Sequence, residues 1–397
     1  MTDNKDAGPQ TITPTLTLLF AVACGAIVAN IYYAQPLVGL IGPDIGLSPE
    51  AASLVVTLTQ LGYGAGLLLL VPLGDVLPNR PLIRWMLAAV VLSSLASALA
   101  PSAAVFLVAA LLTGVSTVVV QMLVPLAAHM SPDAIRGRVV GNVMGGLLFG
   151  ILLARPISGL IADAFGWRAV FWASAGMMTL FALVLPNLLP DRRPSGGTSY
   201  GTLLSSLWPL LRDTPVLQRR AAYQAACFAA FSLFWTAIPL ELAGPPFSLS
   251  QRGIALFALA GAAGALAAPL AGRFADRGWT RPASGLALAF AALSFLATRY
   301  TASVSLAGLV IAVIVLDFAV QTNQVLGQRA IYALDAASRN RLTALYVALL
   351  FLGGAVGSGL AGVLMTRGGW NAVAWAGTGF PLLALLLYAT EQRRAEG

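Results

Sequence analysis

Charge is scarce in this sequence, and lysine and histidine are scarcest of all. Only 10% of the 397 residues are Asp, Glu, Lys or Arg, with one lysine (Lys5), one histidine and two cysteines. A soluble globular domain is about 25% charged, so the deficit argues against an ordinary soluble enzyme and against a disordered chain. A single lysine near the N-terminus cannot serve a phosphate-binding P-loop or a buried Schiff base. Two cysteines and one histidine make neither a disulfide framework nor a Cys/His metal cluster, and no cofactor is expected. The net charge of +8 comes from 22 arginines and Lys5, scattered singly or in pairs. No run of five or six basic residues marks a nucleic-acid footprint, so no nucleic-acid partner is expected.

Apolar residues make up 58% of the chain and the mean hydropathy is +0.83. Stretches between charges reach the roughly 20 residues a helix needs to cross a bilayer. They predict an all-α integral membrane protein with twelve spans, at about 16–38, 51–73, 82–100, 104–127, 139–162, 168–188, 220–240, 253–272, 282–299, 304–328, 342–365 and 371–390. The long run 85–132 divides at Pro101-Ser102, a turn signal. The N-terminus lacks the pattern of a cleavable signal peptide. Eighteen basic residues fall on the side of the termini and four, Arg168, Arg252, Arg299 and Arg367, on the other. The positive-inside rule then places both termini in the cytoplasm. The expected location is the plasma membrane, in a bacterium the inner membrane.

Segment 191–219 is the longest polar connection and ends in an amphipathic stretch. It separates residues 1–190 from 220–397, two predicted six-helix bundles. A shift of 203 residues lays Cys24 on Cys227, Gln121 on Gln324, Arg136 and Arg138 on Arg339 and Arg341, and Gly166-Trp167 on Gly369-Trp370. A shift of 201 lays Asp75 on Asp276. So many matches near one offset indicate an internal repeat. Two like halves in the same orientation are related by an axis along the membrane normal, with a substrate site between them near mid-membrane.

The loops after spans two and eight carry a resemblance. Gly272-Arg273-Phe274-Ala275-Asp276-Arg277-Gly278-Trp279-Thr280-Arg281 is similar to the major facilitator signature Gly-x-Leu-Ala-Asp-Arg-x-Gly-Arg-Arg. Val71-Pro72-Leu73-Gly74-Asp75-Val76-Leu77-Pro78-Asn79-Arg80 keeps the acid and the last arginine. Arg155-Pro156-Ile157-Ser158-Gly159 partly resembles the Gly-Pro-x-x-Gly-Gly of the drug/sugar efflux antiporters. The resemblance implies a transporter working by alternating access, not an enzyme; a monomer is expected. Proton-coupled efflux of a small organic solute is the first expectation. A facilitative or proton-symport importer on the same fold is the alternative, and the fold does not choose between them.

Asp317 is the one acid deep inside a span, about 20 Å from its outer end at 1.5 Å per residue. An intramembrane carboxylate is a functional candidate by default, here for carrying a proton. A structural carboxylate paired with an arginine is the other reading. Arg155 is the one base deep inside a span. It either tunes a carboxylate or anchors an anion, or it snorkels to the outer surface. Asp317, Gln321, Gln324 and Gln328 share one helical face. Gln224, Phe228, Phe231 and Trp235 make a stripe on span seven, which either lines a cavity or simply packs. The family resemblance places Gln121 and Gln324 at the cavity. Asn30 and Tyr33 in span one and Thr57 and Gln60 in span two have similar claims. Glycines on span five (Gly141, Gly145, Gly146, Gly150) and span eleven (Gly353, Gly354, Gly357, Gly362) are expected to let helices approach closely. At the cytoplasmic gate the resemblance groups Asp75, Arg80, Arg136, Arg138, Asp276, Arg277, Arg339 and Arg341. Asp75 is expected near Arg341, and Asp276 near Arg138, in an outward-open state.

Overall fold

The computed structural model describes residues 12–190, 199–335 and 338–391, leaving aside the side chains at 262, 263, 265, 266, 268 and 269. Lys5, Arg192, Arg193, Arg393, Arg394 and linker residues 191–198 lie outside the described residues.

Among the described residues the secondary structure is wholly helical, as expected of a chain whose backbone polar groups must be satisfied without water. In order, the helices are α1 (Pro14–Ala29), α2 (Val38–Asp44), α3 (Leu54–Leu69), α4 (Asn79–Leu99), α5 (Ala103–Thr117), α6 (Val120–His129), α7 (Asp133–Phe165) and α8 (Trp167–Leu188). They continue with α9 (Tyr200–Arg212), α10 (Pro215–Ala243), α11 (Gln251–Ala258), α12 (Ala267–Asp276), α13 (Thr280–Thr301), α14 (Leu306–Tyr332) and α15 (Arg339–Ala389). Several starts carry sequence-coded caps. Thr13 Oγ1 accepts from Leu16 N–H with Pro14 in the first turn, and Ser250 and Ser305 cap α11 and α14 in the same way.

Among the described residues nine helical segments are long and apolar enough to cross a membrane. The differences from the expected spans have local causes. Span one is interrupted: α1 stops at Ala29, and a 3₁₀ turn over Gln35–Leu37 precedes α2. Pro36 has no N–H to continue the helix, and Asn30 Nδ2 donates to the carbonyls of Ala26 and Ile27 (3.0 and 3.1 Å) in the last turn of α1. Span eight is likewise broken, with a 3₁₀ segment over Leu259–Leu266 between α11 and α12. Spans eleven and twelve run together as the 51-residue α15, broken only at Gly369. Gly369 has φ 58°, and its repeat-mate Gly166, between α7 and α8, has φ 82°. Both corners need a backbone conformation that side-chain-bearing residues resist.

Close helix crossings follow the small residues. A Cβ added at Gly150 would lie 2.1 Å from the Gly25 carbonyl oxygen, and at Gly357 2.0 Å from that of Ala229. Gly146, Gly353, Gly354 and Gly362 are equally hemmed in. Gly141 and Gly145 are not: nothing lies within 4 Å of the Cβ each lacks, because they face the open outside of α7. The expectation of close packing at those two positions is corrected accordingly.

Amphipathic α9 spans two regions of the arginine-rich face. Tyr200 donates its hydroxyl to Leu69 O (2.7 Å), and Arg341 Nη1 donates to Ser206 Oγ (2.8 Å).

Candidate functional site

A cavity of about 580 Å³ opens on the arginine-rich face between the two repeats. Asp75, Asn79, Arg339 and Asn340 stand at its mouth; Tyr32, Phe231, Gly264 and Val320 close its far end. Its walls include the predicted Gln121, Phe228, Gln321 and Gln324, with Gln328 below them. Gln121 Nε2 donates to the Tyr63 hydroxyl (2.9 Å). Phe228 and Phe231 stack with centroids 5.3 Å apart. A larger apolar groove of about 1090 Å³ lies on the outside of α1, α7 and α8, where Leu18, Phe149 and Met177 are exposed. It touches neither buried charge, so the smaller cavity is the candidate site.

The opposite end is sealed by contacts between the halves. Gln60 Nε2 donates to Ser232 Oγ (2.7 Å), and Ser232 and Ser358 donate back to Gln60 Oε1 (3.1 and 3.2 Å). Thr57 and Ser358 share a hydrogen bond (3.0 Å), Gly362 N–H donates to Ser53 Oγ (3.3 Å), and Gln251 Nε2 donates to Pro36 O (3.0 Å). The protein is therefore open toward its arginine-rich face and closed on the other.

Arg155 and Asp317 share one neighbour, Trp235, near the closed end. Both are buried, 5% and 3% exposed. Arg155 does not snorkel outward. Its guanidinium carbon lies 4.8 Å from the Tyr32 ring centroid, 5.1 Å from that of Phe231 and 4.7 Å from that of Trp235, an aromatic enclosure that suits a delocalised cation. Its Nε donates to Gln35 Oε1 (2.8 Å). Across the same indole, Trp235 Nε1 donates to Asp317 Oδ1 (3.1 Å). Both helix breaks border the pair. The first supplies Gln35. The second brings Gly261 and Gly264 so close that an added Cβ would sit 2.7 Å from Asp317 Oδ2 and 2.9 Å from Asp317 Cβ. Arg155 Nη2 and Gln35 Nε2 are buried donors without an acceptor.

Other predicted residues lie elsewhere. Asn30 is occupied with its own helix break and accepts from Ser174. Tyr33 lines the external groove. Thr57 and Gln60 belong to the sealed seam. Gln224 ties α10 to α14 by accepting from Asn323 Nδ2 (2.8 Å) and approaching Gln324 (3.5 Å). Sequence reasoning passes over Gln35, Tyr32, Ser232, Ser358, Gly261 and Gly264. Of these only Gln35 leaves a faint signal, as an amide beside Pro36 in an apolar run, and the helix break there hides its place in the fold.

The arginines at the open mouth are engaged locally. Arg341 bonds Ser206, Arg329 pairs with Asp276, and Arg136 pairs with Asp133 at 2.5 Å. Arg80 Nε donates to Leu189 O (2.5 Å). Arg138 and Arg277 are exposed. Among the described residues no ion pair joins Asp75 or Asp276 across the mouth to Arg341 or Arg138.

The sequence profile of the Major Facilitator Superfamily matches residues 18–333 and again 221–397. The chain belongs to the major facilitator superfamily. It is 42% identical to an uncharacterized transporter, YgaY, of Escherichia coli O157:H7, over 95% of both chains. It is 34% identical to the probable transporter SCO4007 of Streptomyces coelicolor, over 95% of this chain and 89% of that one. A D-xylose-proton symporter superposes with TM-score 0.74 at 17% identity, covering 95% of this chain and 98% of that one. The nucleoside transporter NupG superposes with TM-score 0.76 at 13% identity, covering 94% and 99%. This major facilitator chain is a multi-pass membrane transporter and not an enzyme.

Proposed function

We propose that the protein is a proton-coupled secondary transporter of a small organic solute. Asp317 carries the proton and Arg155 is its counter-charge. The observation that carries this reading is the buried acid and base that meet through one indole at the closed end of a one-sided cavity. A charge at that depth is costly unless it does work or is neutralised. Residues 1–190 and 220–397 act as two six-helix bundles, twelve spans in all, rocking about the site, with 191–219 as the connector. The arginine-rich face is cytoplasmic by the positive-inside rule, in a bacterial inner membrane. Gln121, Phe228, Phe231, Gln321 and Gln324 line the solute path, and the unit of function is the monomer.

Expulsion of the solute in exchange for a proton is the first reading. It is supported by the partial antiporter-like run at Arg155 and by a mouth on the side from which an exporter loads. A second reading, uptake of solute together with a proton, is favoured by the spare donors of Arg155 and Gln35. Inverted vesicles energised to be acid inside separate the two. Under exchange, adding a substrate from a compound panel outside releases protons from the lumen, and Asp317→Asn abolishes the release. Under cotransport, that addition causes no release, while substrate added to intact cells makes the medium more alkaline. A wild-type protein that moves solute with no proton signal in either arrangement would overturn proton coupling.

A further inference from the structure

Buried donors almost always find an acceptor, and one left bare costs on the order of 1–3 kcal/mol. Two belong to side chains that touch one another here. Arg155 Nη2 and Gln35 Nε2 have no acceptor, although the same two side chains are joined by the Nε–Oε1 bond. Gln35 is fully buried and Arg155 nearly so.

We propose that Arg155 and Gln35 form the receptor for the carboxylate of an organic anion with an aromatic body. This rests on the second of the two transport readings and names its substrate class. Two spare N–H donors, one charged, match the two oxygens of a planar carboxylate. The walls around them are the Tyr32, Phe231 and Trp235 rings, two of which also line the end of the cavity. An aromatic body entering from the cavity therefore meets Phe228 and Phe231 first, and its acid group then reaches the donors behind them. An amine in the same place would face a guanidinium, and Asp317 Oδ1 is already bonded to the indole.

The receptor also fixes the sign of coupling. The charged and titratable groups around it are Arg155 on α7, Asp317 on α14 and Tyr32 after α1. The α10 side presents rings, and the α11–α12 break presents Gly261 and Gly264. A bound anion takes over as the counter-charge to Arg155, so Asp317 takes up a proton as the anion arrives. Anion and proton load together.

The test uses the purified full chain in lipid nanodiscs with benzoate, phenylacetate and 3-phenylpropionate, against phenylacetamide and phenethylamine. The acids should raise Tm and bind more tightly as pH falls; the amide and amine should not. Arg155→Lys should weaken the acids at least tenfold by losing the planar fork. Gln35→Glu places a carboxylate inside the receptor. It should raise Tm without ligand and abolish binding of the acids, an outcome mere misfolding cannot give. The proposal is overturned if no acid stabilises the wild type, if the amine does so equally, or if Gln35→Glu keeps its affinity for the acids. Acids that bind as described but show no proton-linked flux leave the receptor standing and sink the coupling. Proton-driven flux inhibited by the amine alone does the reverse.

Discussion

Trp235 donates its indole N–H to Asp317 across 3.1 Å while its ring carries the guanidinium of Arg155 at 4.7 Å. One side chain on α10 thus holds the acid of α14 and the base of α7 at a fixed spacing. Any movement of α10 against α7 changes the field at Asp317.

Asp317→Asn removes the ionisable group and keeps the volume. Purified protein should retain its helical content and a Tm within a few degrees, while vesicles lose flux driven by a pH gradient. Wild-type accumulation by the variant would show that the proton travels elsewhere.

Trp235→Phe keeps an aromatic face beneath Arg155 and deletes the donor to Asp317. A hydrogen bond to a charged group contributes about 1.5–3 kcal/mol, so coupled flux should fall about 10- to 100-fold. Trp235→Leu, which loses both contacts, should fall further. Initial rates in reconstituted liposomes decide it.

Gly357→Ala and Gly141→Ala are chemically the same change with opposite expected results. At Gly357 the new methyl meets the Ala229 carbonyl at 2.0 Å, so α15 must shift from α10 at a cost of about 1–3 kcal/mol or more. At Gly141 it meets nothing within 4 Å, and stability should hold or rise slightly. Thermal denaturation of the two variants side by side is sufficient.

Gln60→Leu cuts the seam that joins α3 to α10 and α15. Each lost hydrogen bond contributes about 0.5–1.5 kcal/mol, enough to shift a two-state ratio several-fold toward opening at that end. Spin labels at Ser48→Cys and Ala243→Cys should report a larger long-distance population. An unchanged distribution would remove Gln60 from the gate.

Asp44 gives a pH dependence outside the spans. The Arg168 guanidinium and the Trp167 indole (3.0 Å) hold its carboxyl below the usual carboxylate range. A depressed acid stabilises the fold above its ordinary value and loses that contribution as pH falls through the folded one. The Tm difference between wild type and Asp44→Asn should therefore be present at pH 7 and shrink in acid.

Hydrophobic runs make the helices legible, and the scarcity of charge is enough to single out Asp317 and Arg155. The repeat offset finds the Gly166 and Gly369 corners. Helix faces are harder to read. Thr57 and Gln60 have the composition of cavity residues, yet in this state they lie in the contact between halves, which depends on tertiary placement and conformation. Gln35 is hidden by a helix break that periodicity runs straight through. Ser232 and Ser358 look like any small residue suited to helix packing.

The Gln60, Ser232 and Ser358 seam has a further meaning. Each of its groups can trade its protein partner for water at little net cost, so the junction re-wets as easily as it dries. A weld of leucines over the same surface would have no such exchange and would hold one posture. The seam behaves as a fastening made for repeated release, and its weakness is what lets a carrier turn over.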